Sequence, residues 1–193
     1  MFEDPPRRRQ VVLVAMLFEG GLGALAAGLG WLIGCPPWQV LHWNVWDALW
    51  AVAATVPLVV LFLLCMHWPV GPLARIKAIA EEFIAPLFRS CTFFDLAVIS
   101  LLAGLGEEML FRGALQGSFS RWFDAWLVLV CTSVLFGLLH WITPTYAGFA
   151  TLMGGYLGWL FLESGNLLVP VVVHALYDGF ALAYLVRSRA VKA

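Results

Sequence analysis

The chain has 193 residues, of which 62% are hydrophobic and only 12% are charged, and its mean hydropathy is +0.89. These values exclude an ordinary soluble domain. The net charge of −1 provides neither an acidic tail nor the basic footprint of a nucleic-acid-binding protein. We therefore expect a membrane protein whose general partner is the lipid bilayer and which binds no nucleic acid.

The predicted elements, in chain order, are apolar helices. A helix that crosses a bilayer needs about 20 mostly apolar residues. Six segments reach or approach this length: residues 11–34, 45–68, 93 to about 118, 122–142, 146–162 and 167–186. The first is longer than the hydrophobic region of a signal peptide and lacks a small-residue cleavage site, so we interpret it as a retained span.

Residues 69–90 separate the second and third predicted spans and have a different character. Apolar residues recur there at helical spacing beside Arg75, Lys77, Glu81, Glu82 and Arg89. This pattern favours an amphipathic helix on the membrane surface, with a solvated linker as the alternative. The predicted fold is an all-α, polytopic membrane bundle of about six transmembrane helices plus one interfacial helix. Residues 1–92 would form a two-span hairpin with that interfacial helix, and residues 93–193 a four-helix core.

The basic residues predict the orientation of the chain. Lysine and arginine favour the cytoplasmic side of short loops. An arrangement with both termini in the cytoplasm of a multi-pass cell-membrane protein places nine of the eleven basic residues there: Arg7, Arg8, Arg9, Arg75, Lys77, Arg89, Arg187, Arg189 and Lys192.

Three charged residues interrupt the third predicted span, in the stretch GEEMLFRG at residues 106–113. Glu108 and Arg112 are four residues apart, so they share one helix face and can neutralise each other. Glu107 is rotated about 100° from Glu108 and lacks that partner. The spacing therefore indicates one structural glutamate and one free glutamate.

Two later spans carry the same kind of polar residue. Phe136 and His140 are four apart in one of them, and His174 and Asp178 are four apart in the other. Ionisable groups in hydrocarbon cost roughly 2.5–3.5 kcal/mol each and usually face a protein interior or a wet cavity. We expect these groups to converge on one pocket, where carboxylates and imidazoles could activate water and stabilise an oxyanion. Interhelical hydrogen bonding is the alternative, and Glu19 in the first span is interpreted as a packing or interfacial residue.

Helix geometry raises one difficulty for this convergence. If the third and fourth spans are straight and antiparallel, Glu107 and His140 differ in depth by roughly 10 Å, at a rise of 1.5 Å per residue. A tilt, or a break in the helix near Gly113 or Gly117, would have to close this gap.

The ordered motifs EEMLFR, FGLLH and HALYD resemble the EExxxR, FxxxH and HxxxN/D motifs of the CPBP family. These are the CAAX-protease and bacteriocin-processing membrane proteins, also called the Abi family. The similarity covers about residues 93–186. It implies a hydrolase, an intramembrane endopeptidase of the glutamate type, acting on a membrane-associated peptide or protein.

The resemblance also implies a role for each motif residue. Glu107 would be the general base that activates water together with His140, and Glu108 with Arg112 would form a supporting ion pair. His174 and Asp178 would hold the oxyanion. Asp178 departs from the asparagine of the CAAX-processing branch, and an ionised aspartate cannot donate a hydrogen bond. The oxyanion could therefore rest on His174 alone, with Asp178 orienting it or donating while protonated.

A metal site is not indicated by the motifs. The family is often labelled metalloprotease, but the chain has no HExxH motif, and Glu108 is expected to be paired with Arg112. We therefore expect no cofactor, with zinc as the less favoured alternative.

Intramembrane Asp, Glu and His also mark proton paths, so a proton-coupled transporter is an alternative function. A catalytically silent immunity or binding protein is another.

Overall fold

The computed structural model describes residues 7–190, which are 85% helical and contain no strand. A short 3₁₀ turn at Pro37–Val40 joins the first two of seven helices. The helices are α1 (Arg8–Ile33), α2 (Val45–His67), α3 (Pro72–Phe88), α4 (Phe93–Phe119), α5 (Ala125–Leu139), α6 (Pro144–Ser164) and α7 (Leu168–Ala190). The predicted fold class, an all-α helical bundle of a multi-pass membrane protein, is confirmed.

The number of membrane crossings is less closely defined than the number of helices. Among the described residues, α1, α2 and the part of α7 at Leu168–Ser188 are each long and apolar enough to cross a bilayer. Helices α3 and α4 meet this criterion together but are bent by 114° relative to each other, and α5 is apolar but shorter. The six crossings stay a prediction, as does the division at residue 92.

The orientation of the termini also stays a prediction. Among the basic residues used to predict it, Lys192 lies outside the described residues, and the side chain of Arg189 is not described.

Side-chain caps fix where four helices begin. Asn44 accepts hydrogen bonds from two backbone N–H groups at the start of α2, and Asp124 does the same at the start of α5. Thr143 caps α6, while Thr92 and Asp95 form a reciprocal capping box at the start of α4. Because these polar side chains satisfy exposed N–H groups, each helix starts at a defined residue.

An ion pair connects the start of α1 to the start of α4. Arg8 Nε lies 2.6 Å from Asp95 Oδ2, and Arg8 Nη2 donates to Asp95 Oδ1 at 2.9 Å. The same carboxylate accepts hydrogen bonds from Thr92. The first helix is therefore fixed against the helix that carries the EEMLFR motif.

Glycines allow close helix contacts around that motif. A β-carbon at Gly104 would lie 2.8 Å from the Val171 carbonyl oxygen of α7. One at Gly106 would overlap the carbonyl oxygen of Glu19 in α1. Small residues let helix backbones approach in this way. Helix α4 is thus held directly between α1 and α7 at the residues that precede Glu107.

Helix α3 is amphipathic, as its sequence predicts. Ile76, Ile79 and Ala80 are buried, whereas Arg75 and Glu82 are exposed. Lys77 Nζ donates to the Met66 carbonyl near the end of α2, at 2.9 Å. The solvated-linker alternative is therefore wrong, although the location of α3 at the membrane interface stays a prediction.

The contact between α5 and α6 provides a test of this packing. A β-carbon at Gly137 would lie 2.5 Å from the Ala147 carbonyl oxygen and 2.9 Å from the Thr151 backbone nitrogen. We expect Gly137→Ala to lower the free energy of unfolding by about 1–3 kcal/mol, because the helices must move apart. The measurement is denaturant unfolding in detergent micelles.

Gly148→Ala is the matched control, because Gly148 is exposed on α6 with no neighbour within 4 Å of an added β-carbon. Its stability should stay within about 0.5 kcal/mol of the parent protein. Equal effects of the two substitutions would contradict the close packing of α5 on α6.

Candidate active site

The regular α-helical hydrogen bonding of α4 changes immediately after its two glutamates. The helix is α-helical to Glu108 and continues with the wider π-helical hydrogen bonding over Met109–Gln116. Within this segment Arg112 is 1% exposed, and Glu108 is fully buried. Departures of this kind are common at functional sites.

Glu108 and Arg112 form the ion pair that their spacing predicts. Arg112 Nη1 donates to Glu108 Oε1 at 3.0 Å, and Arg112 Nη2 donates to the Gly154 carbonyl of α6 at 2.8 Å. The guanidinium also lies 4.9 Å from the centre of the Phe136 ring of α5. One arginine therefore connects α4 with both α5 and α6.

Glu108 has a second partner that the sequence did not indicate. His174 Nδ1 of α7 lies 2.8 Å from the same Oε1 atom that accepts from Arg112. The other ring nitrogen, Nε2, lies 3.5 Å from Asp178 Oδ2 one turn further along α7. Because a carboxylate oxygen only accepts, Nδ1 carries the proton of this bond. Glu108 thus holds the imidazole of His174 in a fixed orientation.

His140 is positioned by the end of α5, where it is the C-terminal cap residue. Its Nδ1 lies 2.8 Å from the Phe136 carbonyl oxygen, and its ring stacks on the Phe136 ring with centres 4.3 Å apart. Its Nε2 faces Glu107 Oε2 at 3.6 Å. Glu107 is 7% exposed, and this oxygen has no hydrogen-bond partner among the described residues.

The expected depth difference between Glu107 and His140 is absent, since their nearest polar atoms are 3.6 Å apart. The expectation assumed a straight α-helix through the motif. The π-helical segment Met109–Gln116, which contains Gly113, starts directly after the glutamates. The helix α5 also ends at Leu139, before the predicted end of its span.

A cavity of about 290 Å³ opens onto these groups. Glu107, His140, His174 and Asp178 all lie in its wall, whereas Glu108 and Arg112 support it from behind. Glu19 of α1 also lines the cavity, although the sequence indicated only a packing or interfacial role for it. The rest of the wall is largely apolar and includes Phe62 of α2. The cavity therefore joins carboxylates and imidazoles to a surface suited to apolar side chains.

Phe136 is the other residue whose importance the sequence understated. Its ring contacts the rings of His140 and Phe111, lies 6.3 Å from that of His174, and lies beneath the Arg112 guanidinium. The available signal was its position four residues before His140 in FGLLH. One aromatic ring thus supports the arginine and both histidines.

The donor set does not fit a metal centre. A structural or catalytic zinc site needs at least three nitrogen, oxygen or sulfur ligands converging on one point. Within residues 7–190, no group of three or more His, Cys, Asp or Glu side chains could hold a metal ion. The two ring nitrogens of His174 face Glu108 and Asp178 separately. The absence of a cofactor stays a prediction.

The buried network gives a prediction about stability. We expect Arg112→Leu to lower the free energy of unfolding by about 3–5 kcal/mol, because it leaves the Glu108 charge buried and without its cation. Thermal unfolding of the purified protein in detergent, together with the amount that accumulates in membranes, measures the effect. Arg75→Leu, at an exposed arginine of α3, is the control and should be nearly neutral. Normal accumulation and unfolding of Arg112→Leu would contradict a stabilising role for the pair.

Comparison with known proteins finds a family model that covers this site. Residues 89–180 match the family model described as type II CAAX prenyl endopeptidase, Rce1-like. This range contains Glu107, Glu108, Arg112, His140, His174 and Asp178.

A curated relative is similar to part of the chain. The chain is 35% identical to an uncharacterized 24.3 kDa protein of Escherichia coli, over 55% of this chain and 58% of that protein. The chain thus spans somewhat more than half the length of this relative. No solved structure matches the chain. The part of the chain that contains the site, residues 89–180, is thus similar to the Rce1-like type II CAAX prenyl endopeptidases.

Proposed function

We propose that the protein is an intramembrane endopeptidase that hydrolyses a peptide bond of a membrane-embedded peptide or protein. One observation carries the proposal. The buried Glu107 carboxylate has an oxygen without a hydrogen-bond partner among the described residues, and this oxygen faces His140 Nε2 across 3.6 Å at the wall of a cavity. The match of this region to the Rce1-like family supports the same reaction class.

Glu107 and His140 are the groups proposed to activate water. The Phe136 carbonyl accepts from His140 Nδ1–H, so Nε2 of a neutral imidazole is an acceptor. One water molecule can then donate one hydrogen to Glu107 Oε2 and the other to His140 Nε2. Both acceptors orient a lone pair of the water oxygen towards a substrate carbonyl carbon.

In the proposed reaction, Glu107 takes a proton from water as the new carbon–oxygen bond forms. The carbonyl electrons move to its oxygen and give a tetrahedral intermediate. When the carbon–nitrogen bond breaks, Glu107 returns the proton to the departing amine. A carboxylate buried away from bulk water suits both transfers, because it keeps the proton within the site.

His174 is proposed to stabilise the oxyanion of that intermediate. Its Nδ1–H is already directed at Glu108, so donation to the oxyanion requires a second proton on Nε2. In this imidazolium form His174 lies between Glu108 and Asp178, and its positive charge opposes the developing negative charge. Asp178, whose Oδ2 lies 3.5 Å from Nε2, then acts through its negative charge, which favours the imidazolium form, and the single Nε2–H donates to the oxyanion.

Glu108 and Arg112 are proposed to position these groups from behind the cavity wall, and the Phe136 carbonyl is proposed to position His140. Glu108 holds His174, Arg112 holds Glu108, and the Phe136 carbonyl holds His140.

We further propose the orientation predicted from the basic residues, with both termini in the cytoplasm of a cell-membrane protein.

The central experiment removes the proposed base. Glu107→Gln keeps the size of the side chain but cannot take a proton, so we expect cleavage to fall by at least about 100-fold. The unfolding temperature should change little, because this oxygen has no hydrogen-bond partner to lose. Membrane peptides from cells that express the parent protein and the variant are compared by mass spectrometry, and the products found are then followed with purified protein.

Glu82→Gln is the matched control, since Glu82 is exposed on α3 and does not line the cavity. It should cleave at the parental rate. Full activity of Glu107→Gln would refute the assignment of the base. The absence of any peptide product from the parent protein would refute the proposed function.

A further inference from the structure

Glu19 is a carboxylate of the cavity that the proposed reaction does not use. It belongs to α1, outside the range of residues that matches the family. The close contact of its backbone with Gly106 brings it beside the helix that carries Glu107. Its Oε2 atom is buried and has no hydrogen-bond partner among the described residues.

The charges around the cavity are unbalanced. Among the described residues, its wall contains the carboxylates of Glu19, Glu107 and Asp178 but no lysine or arginine. Arg112 is already bonded to Glu108 and to the Gly154 carbonyl, so it is not available to balance a further carboxylate. His140 and His174 face Glu107 and Asp178 respectively. Among the described lining carboxylates, Glu19 has no histidine nitrogen within ion-pair distance, and the charge of His174 acts on it only at longer range.

A buried carboxylate oxygen without a donor is costly unless a partner arrives. The partner that satisfies it best is a cation with N–H groups, because charge-assisted hydrogen bonds are about twice as strong as neutral ones. The apolar wall, including Ile99 and Ala103, suits the methylene stem of a long basic side chain. A substrate carboxylate at this point would be repelled.

On the basis of the proposed function, we propose that Glu19 is a specificity-determining residue that binds a cationic group of the substrate. The substrate class is a membrane-embedded peptide with a lysine or arginine near the bond that is cut. The proposal concerns which peptides are cut, whereas Glu107 determines whether any are cut.

The experiment uses the full chain in detergent micelles and a library of apolar peptides. Each peptide carries lysine, Nε-acetyl-lysine or glutamate at one position, and the position is moved along the sequence. Products are identified by mass spectrometry, and kcat/KM is measured for the pairs that are cut. For the parent protein we expect lysine to be preferred over acetyl-lysine by roughly tenfold or more, from the strength of hydrogen bonds to charged groups.

Glu19→Gln should bring this ratio close to one, while Glu19→Asp, which keeps the charge, should retain much of the preference. Glu163→Gln is the matched control at an exposed glutamate outside the cavity, and it should leave the ratio unchanged. A purely structural role for Glu19 would change stability and overall rate without changing the ratio, so unfolding is measured for each variant.

The outcomes separate the two proposals. Cleavage that depends on Glu107 but shows no lysine preference, or a preference that persists in Glu19→Gln, overturns the role of Glu19 and leaves the peptidase intact. No product from any peptide, with either parent protein or Glu107→Gln, overturns both.

Discussion

A single buried oxygen, Oε1 of Glu108, determines how the helices of the site are arranged. It accepts from Arg112 on its own helix and from His174 on α7, and Arg112 reaches the Gly154 carbonyl of α6. A charge this far from water is tolerated only with its partners in place. If α4, α6 or α7 slid or rotated so that these groups separated, the Glu108 charge would be buried without its partners, and the protein would lose stability. The network therefore fixes the relative positions of three helices.

The position of Glu107 follows from this constraint. Helix geometry rotates Glu107 by about 100° from Glu108. Because Glu108 is held by its partners, this rotation turns Glu107 towards the cavity. In both carboxylates Oε2 has no hydrogen-bond partner among the described residues. Glu108 is completely buried and accepts two hydrogen bonds through Oε1, whereas Glu107 lines the cavity. Two adjacent glutamates thus differ in environment because Glu108 is bonded to Arg112 and His174. The site separates a structural carboxylate from a chemically available one by a single step along the chain.

Local spacing explains what the sequence could predict. Glu108 and Arg112 meet because residues four apart share a helix face, so their pairing needs no knowledge of the fold. The contact between Glu108 and His174 joins residues 66 positions apart, and no local pattern indicates it. The predicted span at 122–142 extends beyond α5, because hydropathy records apolar residues while the Asp124 cap determines where the helix starts. The π-helical segment after Glu108 likewise has no periodic signal in the sequence, which indicates only that a tilt or a break near Gly113 or Gly117 would bring Glu107 to His140.

The chain divides the tasks of the cavity between two regions. The range that matches the family, residues 89–180, supplies both histidines and the carboxylates proposed for the chemistry. Part of the remaining wall comes from earlier helices, through Glu19 of α1, Phe62 of α2 and Ile76 of α3. Among the described residues, these three side chains make no hydrogen bond or ion pair with Glu108 or Arg112. The family match therefore covers the groups proposed for the chemistry and part of the apolar wall, whereas Glu19, proposed to select the substrate, lies outside it.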